Sequence, residues 1–218
     1  MKNLTWLLLI LVWCPSIYSC TEGDSEKTGS LAAPAPLPSK DLREVNIGFA
    51  NLAIKLPKDY KKYYLVENYL YELGLSREYG NQDISNFTAA MEKLNKAGQP
   101  YELYADTTSL LDLVLIMDGP RVDFNKKIGR TYTKMLEQQM SKNYDAQGVS
   151  YRKVESKFLT TTNNKVIKVK YEMAGAGYEK VYVTQYLIST PDNTLSVNVR
   201  NLTLQDFQDQ VVRLKHNF

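Results

Sequence analysis

Residues 165–173, Lys165-Val166-Ile167-Lys168-Val169-Lys170-Tyr171-Glu172-Met173, alternate apolar and charged side chains strictly from Ile167 to Met173. A strand points successive side chains to opposite faces, so Ile167, Val169, Tyr171 and Met173 define a core face. Lys168, Lys170 and Glu172 then define a face turned to water. Upstream, Val154, Ser156 and Phe158 alternate in the same way before an Asn163-Asn164 turn. Downstream, Gly175-Ala176-Gly177 leads into Val181 through Ile188, and Pro191-Asp192-Asn193 turns into Leu195, Val197 and Val199. Short turns between period-two runs make this an antiparallel meander of four strands.

Working back from the meander, the period changes to that of a helix. From Asn125, Ile128, Tyr132, Met135, Leu136 and Met140 fall on one side, while Lys126, Lys127, Lys134, Glu137, Gln138 and Lys142 fall on the other. Leu110 to Met117 is apolar except for Asp112 and ends at Asp118-Gly119-Pro120, which predicts a central strand. Asp83 or Ser85 caps a helix whose face is Phe87, Met91 and Leu94, with Gly98 and Pro100 ending it. Between Tyr60 and Tyr79 the pattern predicts a strand and then a helix with Val66, Tyr69, Leu70 and Leu73 inward. Val45, Ile47 and Phe49, then Leu52, Ile54 and Leu56 before Pro57, make two short strands or one bent strand around Asn51. At the other end, Leu204 to Leu214 reads as a helix with Thr203 and Asp206 as a capping pair and Phe207, Val211 and Leu214 facing the sheet. The sum is one α+β domain over residues 42–218, a mainly antiparallel sheet of about five to seven strands with helices packed on it.

Two stretches carry a resemblance. Leu52-Ala53-Ile54-Lys55-Leu56-Pro57-Lys58-Asp59-Tyr60, and Tyr182 through Val199 with the Thr190-Pro191-Asp192-Asn193 turn and the following helix, resemble the PsbP-like fold. That fold is named for an accessory protein of the photosynthetic oxygen-evolving complex and is shared by lipid-anchored and partner-binding bacterial proteins. The resemblance implies a binding or accessory role.

The first 41 residues have a different character. Lys2 precedes an apolar run, Leu7 to Trp13, too short for the ~20 residues of a bilayer span, so residues 1–19 read as a cleaved signal peptide. Ile17-Tyr18-Ser19-Cys20 resembles the bacterial lipobox, with Tyr18 departing from its small residue, and this implies acylation of Cys20 by palmitate-type chains. An ordinary secretory cut after Ser19 is disfavoured by Ile17 at minus three. Residues 20–41, acidic at first and then rich in Pro and Ala, read as a disordered tether. Glu22, Asp24 and Glu26 make it similar to the tethers of surface lipoproteins of Bacteroidota. The expected location is therefore the cell envelope, at the outer membrane.

Composition narrows the chemistry. The two cysteines are Cys14, inside the signal, and Cys20, so the folded part has no thiol for a disulfide, a metal or a nucleophile. The single histidine, His216, lies at the chain end and is a poor general base there. A formal charge of +3 is too small to suggest nucleic acid. No cofactor, no metal site and no catalytic group is expected. An envelope hydrolase using paired carboxylates remains the alternative, with Asp112, Asp118, Asp123 and Glu172 as candidates. A carrier of a small apolar ligand is a further one.

Binding residues are sought instead among tyrosines and lysines. The chain has 16 tyrosines against 6 phenylalanines, and Tyr60, Tyr63, Tyr64, Tyr69, Tyr71, Tyr101 and Tyr104 crowd one segment. Tyr64, Tyr69 and Tyr71 are the expected anchors for a protein partner. Lys168 and Lys170, with Lys153, Lys157 and Lys165, form a basic face that would meet an anionic surface.

Overall fold

The computed structural model describes residues 41–72, 82–106, 112–144, 149–175, 178–203 and 205–216. Cys20, the signal and the tether lie outside them, as does Leu73. Strands β1 (Leu42–Ile47) and β2 (Leu52–Pro57) form a hairpin, with Asn51 taking the left-handed turn at φ 50°. Asn is among the few residues that tolerate that conformation. Then come β3 (Tyr60–Tyr63), α1 (Val66–Glu72), α2 (Gln82–Lys96), β4 (Tyr101–Asp106), β5 (Leu113–Gly119) and α3 (Lys126–Tyr144). The meander follows as β6 (Ser150–Thr160), β7 (Lys165–Gly175), β8 (Tyr178–Ser189) and β9 (Thr194–Asn201), and the chain closes with α4 (Gln208–Val212) and β10 (Lys215–His216).

Seven strands pair antiparallel in the order β3-β4-β5-β9-β8-β7-β6, and β1-β2-β10 form a second, small sheet. The fold is α+β. One face of the large sheet carries Val114, Ile116, Val166, Tyr186, Ile188, Leu195, Val197 and Val199 against Ile47, Leu52, Ile54 and Leu56 of the small sheet, with Phe207, Val211 and Leu214 completing that core. The other face is divided. Over β6 to β8, Ile167, Val169, Tyr171 and Met173 meet Tyr132, Leu136 and Met140 of α3. Over β3 to β5, Leu103, Ala105, Leu113, Leu115 and Met117 meet α1 and α2 through Val66, Tyr69, Leu70, Phe87 and Met91.

Local signals explain the helix limits. Asn125 Oδ1 accepts the Ile128 N–H at 2.9 Å and opens α3. Gly98, at φ 62°, ends α2 by letting the Gln99 N–H reach back to the Leu94 carbonyl at 3.0 Å. The last helix is far shorter than the expected span to Leu214, because residues 215–216 leave it to pair with β2. Asp206 does accept the Gln208 N–H at 2.9 Å.

The lysine face of β7 is a larger correction. Lys168 and Lys170 are 1% and 0% exposed. Alternation separates the two faces of a strand, but what covers each face is decided by distant chain. Here the 205–208 segment and the small sheet cover the side that holds the lysines.

Candidate functional site

The buried lysines have internal partners. Lys168 Nζ pairs with Glu155 at 2.5 Å, donates to Asp206 and reaches Gln208 Oε1 at 3.2 Å. The Tyr186 hydroxyl donates to Asp206 Oδ1 at 2.7 Å. Burial pushes the Asp206 carboxyl up, but the donors Lys168 and Tyr186 outweigh it and hold the group below the usual carboxylate range. Among the described residues Lys170 meets the Gln205 carbonyl at 3.3 Å and the Tyr182 ring at 5.6 Å, and burial lowers its pKa against the opposing charges of Asp206 and Glu155. Both lysines are interior struts; neither forms a surface for an anionic partner.

The tyrosine segment separates into two groups. Tyr69 is fully buried, 5.0 Å from the Tyr63 ring and edge-on to Phe87 at 6.5 Å, so it belongs to the core under α1 and is no recognition anchor. Tyr60, Tyr63 and Tyr104 are buried as well. Tyr71 lies about 200° round the helix from Tyr69 and is 84% exposed. Tyr64, just ahead of α1, is 77% exposed with Leu65 beside it, and Lys62 Nζ stands 5.4 Å from its ring centre.

Asp112, Asp118 and Glu172 are kept apart from one another. Asp112, just before β5, and Asp118, near its end, are six residues from one another, ~20 Å along a strand, against the roughly 5–9.5 Å of a glycosidase pair. Asp112 Oδ1 accepts the Leu202 N–H at 3.0 Å, and Asp123 pairs with Lys165 at 2.5 Å. Glu172 lies three strand positions from β5, ~14 Å away, held by Arg152 and the Tyr182 hydroxyl. His216 is no frayed end, since its backbone pairs with Leu52. Among the described residues no three His, Cys, Asp or Glu side chains gather as a metal set, and no helix is long and apolar enough to cross a membrane.

The arrangement that sequence reading missed lies in the middle of the divided face. Leu115, Asn198, Gln185 and Val169 stand in one row across β5, β9, β8 and β7. The row on one side is Met117, Ser196, Leu187 and Ile167; on the other it is Leu113, Arg200, Val183 and Tyr171. Four polar side chains, Ser196, Asn198, Arg200 and Gln185, thus form a seam between two apolar clusters. Arg200 is 8% exposed and Gln185 4%. Asn198 Nδ2 donates to Ser196 Oγ at 3.1 Å. Both amide atoms of Gln185 and the Nε of Arg200 lack a hydrogen-bond partner among the described residues, as do the buried hydroxyls of Thr88 on α2 and Tyr132 on α3. The Arg200 charge is felt at Tyr69, where it offsets part of the rise that burial imposes on the phenol. The signal was present in the sequence as Ser196, Asn198 and Arg200 alternating with Leu195, Val197 and Val199; it reads as a solvated face until helices are placed over it.

No protein-family model and no curated protein matches the chain. Among solved structures it is similar to the solution structure of cyanobacterial PsbP (CyanoP) from Synechocystis sp. PCC 6803, at 6% identity and a TM-score of 0.42, over 80% of this chain and 86% of that one. It is also similar to the Saccharomyces cerevisiae Ran-binding protein Mog1p, at 11% identity and a TM-score of 0.42, over 81% of this chain and 95% of that one. At such values no residue role passes from either protein to this chain.

Proposed function

We propose that this chain is a lipid-anchored protein of the cell envelope, attached to the outer membrane through Cys20, that binds a partner protein and catalyses nothing. The observation that carries the reading is the exposure of Tyr64, Leu65 and Tyr71 around the start and outer side of α1, while Tyr60, Tyr63, Tyr69 and Tyr104 of the same segment are buried. Tyrosine offers a large contact area with a polar end at little entropic cost, and such residues dominate binding energy where they are found at interfaces. The lipobox-like Ile17-Tyr18-Ser19-Cys20 and the tether of residues 20–41 support the anchored location. Stable anchoring takes more than one acyl chain.

The test has two arms. Cells are labelled with an alkyne analogue of palmitate, and label is expected in the wild type and absent from Cys20→Ser. A photo-crosslinker at position 65 is expected to trap a discrete protein in membranes, and capture is expected to fall with Tyr64→Ala and Tyr71→Ala together. Label in Cys20→Ser, or undiminished capture by a folded double variant, refutes the corresponding half.

A further inference from the structure

Strand β6 ends the large sheet at the edge opposite β3, and among the described residues it pairs with β7 alone. Its outer side therefore presents open backbone N–H and C=O groups along an eleven-residue strand. Tyr151, Val154, Phe158 and Leu159 are only half-buried on it, so apolar surface is left uncovered as well. Charged side chains and the bulge between Lys153 and Glu155 discourage indiscriminate pairing at such an edge. A second copy of the same strand meets no such obstacle in the register centred on Ser156.

We infer that two copies of this chain join antiparallel through β6, about a two-fold axis at Ser156. An axis normal to the sheet keeps each face of the strand on its own side, so residues directly opposite share a face. Ser156 then meets its own copy. Glu155 lies opposite Lys157 of the second copy and Lys157 opposite its Glu155, while each Glu155 keeps its own buried Lys168. Beyond them the bulged Lys153 and Val154 face Phe158 of the second copy, Arg152 faces Leu159 and Tyr151 faces Thr160. Moving the axis by one residue either way sets Glu155 or Lys157 against itself, a like-charge contact that destabilises the pair.

The helical layer suits the same axis. Thr133 Oγ1 lies 3.2 Å from Ser156 Oγ, which brings the middle of α3 to the two-fold. Glu137 pairs with Lys153 of β6, so its flank of α3 is turned to the free edge, and Arg130, seven residues back, lies about 20° from it on the same flank. Rotation about the axis sets Arg130 of each copy beside Glu137 of the other. Gly129 lies against both Ile167 of β7 and Phe158 of β6, so α3 runs above the gap between these strands. With strands roughly 4.8 Å apart, the two helices come about 10 Å from one another, at ordinary packing distance. The contact is independent of the exposed tyrosines, which follow β3 at the opposite edge.

The experiment uses the full chain purified in detergent, with no partner protein present, so its result does not depend on the proposed partner binding. Wild type, Ser156→Cys and Ser150→Cys are oxidised with copper phenanthroline and run on a non-reducing gel. The folded part has no cysteine of its own, and the wild type controls for Cys20. Ser156→Cys is expected to become a disulfide-linked dimer, because the axis places the two thiols directly opposite. Ser150→Cys, roughly 35 Å from its copy in this register, is expected to stay monomeric like the wild type. Adding Lys157→Glu or Arg130→Glu to Ser156→Cys should cut the linked fraction roughly fivefold or more, since each sets glutamates of the two copies against one another. Both positions are exposed, and a cooperative melt by circular dichroism checks that each variant is folded. No linked dimer of Ser156→Cys, equal linking at position 150, or an undiminished yield in the folded charge variants overturns the inference.

Discussion

Lys168 of β7 donates to the carboxylate of Asp206, thirty-eight residues later, and the Tyr186 hydroxyl donates to the same carboxylate at 2.7 Å. The contact pins the 205–208 segment over the sheet. Removing one member of a buried pair leaves the other charge uncompensated, a loss of about 3–5 kcal/mol. Lys168→Ala is expected to lose stability on that scale in urea denaturation, and Lys168→Asp to lose more. Lys170→Met should stay within about 1 kcal/mol of the wild type, because among the described residues the buried Lys170 ammonium meets one carbonyl and one ring and no carboxylate within ion-pair distance. Equal losses at the two positions would contradict this division.

Acid should weaken the fold by a defined route. Asp206 and Glu155 are each pushed up by burial, but the hydrogen bonds from Lys168 to both, from Tyr186 to Asp206 and from Lys157 to Glu155 outweigh burial and hold them below their ordinary values. A carboxyl depressed in the folded state contributes stability that is fully present above its unfolded pKa, near 4, and is lost as pH falls through the folded value. Melting temperature is therefore expected to decline below about pH 4. Asp206→Asn should start lower and show a shallower acid limb. An acid limb of unchanged depth would remove Asp206 from the account.

Around α1 the tyrosines should respond according to depth. Tyr69→Ala opens a cavity beside Tyr63 and Phe87 and is expected to lose about 3–5 kcal/mol. Tyr64→Ala and Tyr71→Ala touch little of the core, so their melts should overlay the wild type. That also makes them the clean probes of partner capture. A large loss from Tyr71→Ala would place it in an interior it does not occupy here.

Gly129 sits inside α3, where glycine is a poor helix former. A methyl group there would meet Ile167 and Phe158 atoms at 3.5 to 3.7 Å, ordinary contact distances. Gly129→Ala should stabilise the domain by roughly 0.5–1 kcal/mol, read as a rise in the urea midpoint at constant slope. A fall would mean that α3 cannot keep its present distance from the sheet.

The parts of this fold that local chemistry dictates were readable in the chain. The meander from Val154 to Val199, the Asn125 cap, the Gly98 stop and the strand ahead of α1 each follow from a few adjacent residues. What covers a face depends on residues far away in sequence. Lys168 and Lys170 therefore read as solvated although the 205–208 segment lies on them, and Ser196, Asn198 and Arg200 read as the wet side of a strand although helices flank them. Tyr69 and Tyr71 look alike in composition, and only the phase of α1 separates them. The small sheet was hidden for the same reason, because β10 meets β2 only through the fold.

The pairing of Lys215 with Ala53 also bears on the order of events during synthesis. The larger core needs Phe207, Val211 and Leu214 from the end of the chain to close over Ile47, Leu52 and Ile54 from its beginning. Contacts between such distant segments form slowly and late. A nascent chain that has reached β9 can already zip the meander, yet its opening hairpin still lacks the cover that residues 207–214 provide. Completion of this core thus waits until residues 207–214 have been made, and until then the hairpin is the segment that a chaperone would have to guard.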